Sequence, residues 1–294
     1  MIVKSVYLGF KAYDVHELLC HAVATEGGYY ARESLDVKLI DTTFVPDEAL
    51  PENSFHAACG AALASFLHGA RRKVVFVACD RPMFWLYARS GIDSFEQLSQ
   101  GSVATFPDAA PPSKFLQKLL RENGVAPGLL PARDDVARLG LLSSNSVDGA
   151  LLSSHFLPSE VERTGAKPLA FVGDTLRLPS TGLAVSENFY DERRDLVSTM
   201  VGIYERAMKS IFEDESLLRS TLLQCFGKSE AAADQAVTAI RACYNPLGYS
   251  CDSILQPAID AMAMGMGLAT RKSAELYQFE NIKSYNESVL QEEA

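Results

Sequence analysis

Hydrophobic and polar positions in the first 90 residues alternate between short β-rich runs and stretches with helical spacing. Asp14 and Glu17 form a capping box, and apolar residues then recur at helical spacing up to Gly27. A second helix is predicted at residues 61–67. Strands are predicted at residues 2–10, 35–40, 55–59, 73–79 and 84–89. This alternation is typical of parallel βαβ units.

The alternation resumes after a loop at residues 90–101. Strands are predicted at residues 102–106, 147–152, 168–172 and 181–185, and helices at residues 113–123, 135–143 and 157–163. Beyond Ser186 the β-rich runs cease, and helical patterns such as Leu196, Met200 and Ile203 take over. We therefore predict two lobes and a helical C-terminal segment that packs on the first lobe. A single doubly wound sheet is the alternative, but it would leave the strand-free end unexplained.

Charge and hydropathy exclude several classes of partner. The chain has 294 residues, 48% of them hydrophobic, which is ample for packed cores. Its formal net charge of -10 repels phosphate backbones, so we expect no nucleic-acid partner, and the basic cluster at residues 71–73 is interpreted as a solvated loop. No apolar run reaches the ~18 residues that a membrane-spanning helix needs, so the protein is not expected to be membrane-embedded.

The first residues show no signal-peptide pattern, because charged Lys4 interrupts the apolar run. We expect a cytoplasmic protein as written, or a periplasmic one if the sequence is a trimmed mature form. Six cysteines without a CxxC pair are expected to be buried free thiols. His16 and Cys20 lie one helical turn apart beside His21, but they do not complete a zinc site, so no metal is predicted. No cofactor is predicted either, because GxGxxG and Walker A motifs are missing.

Several segments resemble type II periplasmic (solute) binding proteins. Residues 28–39 are similar to the "yf.eeGLdVel" segment of that family, with Ser34 in place of its glycine. Further similar segments are the small-residue ligand loop (58–64), the central strand pair (73–89), the segment leading into the second lobe (92–98), and residues 136–139 and 147–150. More narrowly, the chain resembles the aliphatic sulfonate, nitrate and taurine binding proteins of ABC transporters and the yeast thiamine-pyrimidine synthases.

The resemblance implies a two-lobed α/β fold with mixed sheets flanked by helices and a ligand cleft between the lobes. Lobe 1 would comprise residues 1–89 plus 184–294 and lobe 2 residues 90–183, with hinges near Arg89-Ser90 and at residues 181–184. The implied function is binding of a small molecule, an anionic or aromatic acid, by hinge closure, with an ABC permease as partner if the protein is exported. The alternative is a cytoplasmic enzyme on the same fold, decarboxylase-like, desulfinase-like or pyrimidine-biosynthesis-like.

In this fold the loops at the carboxyl ends of the strands face the cleft, which points to ligand residues in lobe 1. Lys11 could neutralise an anion and Tyr13 could flank it, although both could be plain surface residues. Cys59, Gly60 and Ala61 open a helix whose backbone N–H groups could hold an anion, unless tight packing alone requires small residues there. Cys59 is also a candidate nucleophile, since a thiol at a helix N-terminus is expected to have a lowered pKa.

The predicted ligand residues of lobe 2 follow two strands. Ser113 could be either a helix N-cap or a ligand donor. His155 is the preferred residue for ligand contact or proton transfer, because imidazole can do either near neutral pH, and a histidine without a catalytic role is the alternative. The full set in lobe 2 and at the hinge is Asp108, Ser113, Ser153, Ser154, His155 and Thr181.

Overall fold

The computed structural model describes residues 4–43, 45 and 49–283. Within these ranges the chain divides into two compact units. Unit 1 consists of the residues up to Asp80, of Leu178–Gly227 and of those from Tyr244 onward. Unit 2 consists of Arg81–Arg177 and Lys228–Cys243. None of the helices in the described ranges is long and apolar enough to cross a membrane.

The strands within the described residues are, in chain order, β1 (Lys4–Phe10), β2 (Leu35–Asp41), β3 (Ser54–His56), β4 (Arg72–Cys79), β5 (Phe84–Ala88), β6 (Ser102–Thr105), β7 (Gly128–Pro131), β8 (Gly149–Ser153), β9 (Lys167–Phe171) and β10 (Thr181–Ser186). The helices of the same ranges are α1 (Val15–Glu26), α2 (Tyr29–Arg32), α3 (Cys59–Leu67), α4 (Phe95–Leu98), α5 (Pro111–Glu122), α6 (Asp135–Ser143), α7 (Pro158–Val161), α8 (Val172–Thr175), α9 (Glu187–Glu192), α10 (Arg194–Glu213), α11 (Glu215–Gln224), α12 (Glu230–Cys243), α13 (Asp252–Met266) and α14 (Ser273–Leu276). A 3₁₀ turn at Glu162–Thr164 extends α7.

The sheet of unit 1 has the strand order β2-β1-β3-β10-β4. β1 pairs in parallel with β2 and β3, whereas β10 runs antiparallel to β3 and β4. Helices α3 and α10 pack on β4, which explains why nearly all of its residues are buried. The carboxyl ends of β1, β3 and β4 therefore share one sheet edge with the amino end of β10.

The sheet of unit 2 has the corresponding order β7-β6-β8-β5-β9. β6 is parallel to β7 and β8, and β5 is antiparallel to β8 and β9. The carboxyl ends of β6 and β8 thus lie at one edge, together with the amino end of β5. Two mixed sheets flanked by helices, and a helical C-terminal segment, confirm the predicted fold class.

The boundaries of the two units differ from those predicted for the lobes, which lay between residues 89 and 90 and between residues 183 and 184. β5 belongs to unit 2, because all of its residues pair with β8, from Phe84↔Ser153 to Ala88↔Gly149. The predicted central strand pair is therefore split between the two sheets. β10 belongs entirely to unit 1 through its pairing with β4. Helix α12, expected to pack on lobe 1, packs on α7 in unit 2.

Two local predictions are corrected, and one strand was not predicted. Cys59 is the first residue of α3 and not the last of a strand. Ser113 is not an N-cap, since α5 begins at Pro111 with Ala110 as its N-cap, and the fixed φ of proline suits a first helical turn. β7 was not predicted; it is an edge strand of its sheet, where a proline such as Pro131 is tolerated.

The capping box predicted for α1 is half confirmed. The Asp14 carboxylate accepts the Glu17 N–H (2.9 Å) as the N-cap of α1. The other half of the predicted capping box is wrong, because the Glu17 carboxylate binds the preceding loop instead. Ser34 has φ 55°, which accounts for the glycine that the resembling family carries there.

Gly182 allows β10 to pair with β4. A Cβ at this position would lie 2.0 Å from the Phe76 carbonyl oxygen and 2.9 Å from the Ala78 nitrogen, both rigid backbone atoms. We expect Gly182→Ala to lower the free energy of unfolding by at least about 2 kcal/mol, measured by urea denaturation.

The matched control is Gly202→Ala in α10, where a Cβ would meet no atom within 4 Å. It is expected to leave stability unchanged or raise it by up to about 1 kcal/mol, because alanine favours helix. Equal effects of the two substitutions would contradict the role assigned to Gly182.

Candidate functional site

The loop between β1 and α1 is held by a buried carboxyl group. Glu17 Oε1 accepts the Lys11 N–H (2.6 Å) and Glu17 Oε2 accepts the Ala12 N–H (3.0 Å). The Lys11 ammonium donates to the Thr42 carbonyl oxygen, which ties the side chain to the end of β2. The backbone and the charged group of Lys11 are thus both fixed. The sequence predicted a ligand role for Lys11 but only a helix-capping role for Glu17.

Burial shifts the pKa of two neighbouring groups in α1. The pKa of Glu17 is raised to about 8, first because its carboxyl group is surrounded by protein and second because Asp14 is negatively charged; the loop amides oppose the shift. Burial lowers the pKa of His16 to about 3, so its imidazole is neutral. His16 Nε2 lies 2.8 Å from Ser180 Oγ, and Ser180 Oγ donates to the Cys79 carbonyl oxygen (3.0 Å).

At the start of α3, two of the groups that the sequence suggested are engaged or buried within the fold. The Gly60 N–H donates to the Ser180 carbonyl oxygen (3.0 Å), so it is already occupied within the fold. The Cys59 thiol is fully buried beside the Phe76 carbonyl oxygen (3.7 Å). Burial, and then the charge of Glu17, raise the pKa of Cys59, so the lowered pKa expected from the helix dipole is wrong.

A cavity of about 270 Å³ lies beside α3 in unit 1. Small residues make room for it: Gly9, Ala58, Ala61 and Ala62. Val45 also lines it, and the remaining lining residues have polar side chains: Lys11, Thr42, His56, Ser65 and Arg72. Positive charge is therefore concentrated at this place, although the whole chain is acidic.

His56 and Arg72 were missed by the sequence analysis. Arg72 is buried at 8% exposure, and its Nη1 donates to His56 Nε2 (3.4 Å). The interpretation of residues 71–73 as a solvated loop is thus wrong for Arg72, which opens β4 and points inward. In the sequence, the feature that could have indicated a buried Arg72 is its place directly before an apolar run. That feature is weak, because a charged residue next to a strand is usually exposed.

Tyr13 and Thr181 complete the predicted residues of unit 1. Tyr13 is 51% exposed, and its ring contacts Phe10 and Phe226 (centroids 5.9 and 6.1 Å apart). Thr181 opens β10 and is buried, and none of the described residues hydrogen-bonds its hydroxyl. Lys11 and Ala61 line the cavity, whereas Tyr13, Cys59, Gly60 and Thr181 are not among its lining residues.

In unit 2 a buried ionic network holds the ends of β6 and β8. Asp135 accepts hydrogen bonds from Ser153 Oγ (2.6 Å), the Ser153 N–H (3.2 Å) and Arg138 Nη2 (2.7 Å). The Arg138 guanidinium is fully buried and lies 3.5 Å over the ring of Phe106. Asp135 and Arg138 were predicted only as helix residues, since their partners are distant in sequence.

The other predicted residues of unit 2 differ in exposure. Ser113 is fully buried, and its hydroxyl donates to exposed Asp108 (3.5 Å). Ser154 is also fully buried. His155 is exposed, its N–H donates to Ser153 Oγ (3.2 Å), and its ring meets Phe156 edge to face. The ammonium of Lys228 donates to the His155 carbonyl oxygen and pairs with Glu160 Oε2 (3.0 Å).

Metal-ligating residues do not cluster in the part of the chain that the structure describes: no group of three or more His, Cys, Asp or Glu there could hold an ion. The sequence raised His16, Cys20 and His21 as a possible metal site. In the structure, His21 Nδ1 hydrogen-bonds the Tyr30 hydroxyl (3.1 Å) and His16 hydrogen-bonds Ser180.

No protein-family model matches this sequence, and no curated protein does. Solved structures do match it. The alkanesulfonate-binding protein SsuA of Xanthomonas axonopodis pv. citri, bound to MOPS, has 15% identity and a TM-score of 0.74, over 95% of this chain and 99% of its own. The desulfurization enzyme DszB, in complex with biphenyl-2-sulfinic acid, has 15% identity and a TM-score of 0.73, over 97% of this chain and all of its own.

A third match is a conserved gene product of Candida albicans described as having the generic periplasmic binding protein structural fold. It has 11% identity and a TM-score of 0.73, over 95% of this chain and 98% of its own. At such identities the likeness concerns the fold, which can host binders and enzymes alike. The chain therefore has the periplasmic-binding-protein fold, as its sequence predicted.

Proposed function

We propose that this protein binds a small anionic molecule and that unit 1 holds it in the cavity beside α3. The observation that carries the proposal is the concentration of Lys11, His56 and Arg72 around that cavity. No carboxylate belongs to its lining among the described residues. Its volume lies just under the range of about 300 to 1,000 Å³ common for drug-sized ligands, which favours a smaller molecule.

Two further features support an organic acid. The alanine and glycine positions of the cavity provide an apolar wall that an inorganic ion would not use. The exposed ring of Tyr13, beside Phe10 and Phe226, provides an aromatic surface on the loop that carries Lys11. SsuA, bound to a sulfonate in its solved structure, is a binding protein with the same fold.

The alternative of an enzyme is favoured by the likeness to DszB. Cys59 gives it little support, because a buried thiol with a raised pKa is a poor nucleophile at neutral pH. His155 stays a candidate for proton transfer. The two functions separate in one assay: a binder leaves the bound acid unchanged, whereas an enzyme converts it.

Lys11→Met is expected to weaken anion binding by about tenfold to hundredfold, because a hydrogen bond to a charged group contributes about 1.5–3 kcal/mol. The measurement is isothermal titration of the full chain with MOPS, an aliphatic sulfonate and an aromatic carboxylate, together with native mass spectrometry of the purified protein. Lys209→Met is the control, since Lys209 is an exposed lysine of α10. Failure of every acid to bind, or equal affinities of Lys11→Met and wild type, would overturn the proposal.

Filling the cavity is expected to exclude the ligand. Ala61→Leu adds three carbon atoms to the wall of the cavity, so we expect affinity to fall by at least about tenfold with little change in thermal stability. Ala64→Leu lies on the same helix but does not line the cavity, and it should bind like wild type. Unchanged affinity in Ala61→Leu would place the ligand elsewhere.

Glu17 is expected to make stability depend on pH. The pKa of its carboxyl group is about 8 in the folded chain, whereas the ordinary value is about 4.5. Between these two pH values the folded state therefore binds one proton more than the unfolded state. Stability should therefore fall as pH rises from about 4.5 to 8, relative to Glu17→Gln, by at least about 1 kcal/mol.

Urea denaturation of both proteins at pH 5, 6.5 and 8 checks this expectation. The lowered pKa of His16 acts in the opposite direction, with stability rising between about pH 3 and 6.5, but it is common to both proteins and cancels in the difference. A difference that does not change with pH would contradict the raised pKa of Glu17.

A further inference from the structure

The hydrogen-bond ladder of β1 ends at Phe10, and one side chain takes the next two backbone N–H groups. β1 pairs with β2 up to Phe10. Beyond it, Glu17 Oε1 accepts the Lys11 N–H (2.6 Å) and Glu17 Oε2 accepts the Ala12 N–H (3.0 Å). In a capping box the glutamate would accept the N–H of the N-cap residue, here Asp14. Glu17 reaches further back along the chain, and it gives the loop the partners that the strand no longer supplies.

Glu17 projects from a packed helix. It lies in the first turn of α1, where its own N–H donates to the N-cap Asp14 (2.9 Å). Helix α1 packs on α10 and α11, and its residues Leu18 and Leu19 are buried. All of these elements belong to unit 1, as does the cavity. The position of the loop is therefore tied to the core of unit 1 through a single side chain.

The side chain of Lys11 is placed by a second set of contacts. Its ammonium donates to the Thr42 carbonyl oxygen. Thr42 is tied to the end of β1, because its N–H and its hydroxyl both donate to the Phe10 carbonyl oxygen (2.8 Å each). An ammonium has three N–H donors, of which the Thr42 carbonyl oxygen takes one and a ligand in the cavity can take another. Both contacts require that the backbone of Lys11 stays in place, and Glu17 holds that backbone.

A neutral carboxyl group suits this position. An ionised carboxylate beside Lys11 would repel an anion in the cavity. Burial, and then the charge of Asp14, raise the pKa of Glu17 to about 8, so that the group keeps its proton near pH 7. A protonated carboxyl group still has acceptor capacity for the two amides. Glu17 can therefore hold the loop without cancelling the positive charge of Lys11.

We propose that Glu17 is a positioning residue for ligand binding: its carboxyl group fixes the backbone of Lys11 and Ala12 so that the ammonium of Lys11 is presented to the cavity. The inference rests on the proposed function, since it takes Lys11 as a ligand residue. Glu17 is not among the lining residues of the cavity, and its contribution passes through Lys11.

Hydrogen exchange of the full chain tests the anchoring without any ligand. In Glu17→Met, which removes both acceptors at similar length, the amides of Lys11 and Ala12 are expected to exchange at least about tenfold faster, while those of α1 beyond its first turn keep their rates. Glu17→Gln keeps one acceptor oxygen and should restore slow exchange of one of the two amides. It also replaces Glu17→Met if that variant does not fold.

The matched control is Glu26→Met, at the exposed end of the same helix, which should leave both amides unchanged. Wild-type exchange of Lys11 and Ala12 in Glu17→Met, or in Glu17→Gln where that variant takes its place, would overturn the inference while leaving the proposed function intact.

Titration of the full chain with MOPS, or with the acid that binds wild type best, tests the positioning role. Glu17→Met should lose about tenfold in affinity, and the double variant with Lys11→Met should be no weaker than Lys11→Met alone. Additive losses would overturn the inference, because a purely structural glutamate would act independently of Lys11. If wild type binds no acid, or if Lys11→Met binds as wild type does, the proposed function fails, and the ligand role of Glu17 fails with it.

Discussion

Both sheets depend on an antiparallel strand that the chain inserts immediately after it passes from one unit to the other. β5 enters the sheet of unit 2 between β8 and β9, and β10 enters that of unit 1 between β3 and β4. Without these insertions, β9 and β4 would have no partner in their sheets. The insertion of β10 is sterically demanding, because the backbone of Gly182 approaches that of Phe76 closely. The pairing also brings Ser180 to the start of α3, where its carbonyl oxygen occupies the Gly60 N–H.

Side chains hydrogen-bond the loops that follow β1 and β8. In unit 1 the Glu17 carboxyl group binds two consecutive amides beside Lys11, and in unit 2 Asp135 and Lys228 bind the turn after β8. Such fixation by side chains lowers the entropy that a ligand would have to remove on binding. Asp135 and Lys228 are charged and have little exposure, and each has a partner of opposite charge, Arg138 and Glu160. Glu17 instead keeps its proton near neutral pH.

The positively charged side chains around the cavity of unit 1 contrast with the negative net charge of the whole chain. The chain carries a formal net charge of -10, yet Lys11, His56 and Arg72 surround one cavity. The neighbouring groups of α1 and α3 are kept in neutral forms by burial: His16 is unprotonated, and the Cys59 thiol keeps its proton. At Cys59 the effect of burial on the pKa is larger than that of the helix dipole, because the free-energy cost of desolvating a thiolate exceeds the stabilisation that the first turn of a helix provides.

The sequence by itself indicated the class of fold, because periods of two and of three to four residues locate strands and helices, and because several segments resemble type II periplasmic binding proteins. It also predicted that Lys11 and His155 lie in loops that follow strands, and they follow β1 and β8. Only the tertiary structure decided which sheet received β5 and β10, since strand pairing joins residues far apart in sequence and no local pattern encodes it. The surroundings of His56, Arg72, Glu17 and Lys228 were also decided only by the tertiary structure, because folding brings close to each of them residues that are distant in sequence. Burial adds a second effect: it shifts the pKa of a side chain such as Glu17, although its neighbours in the chain stay the same.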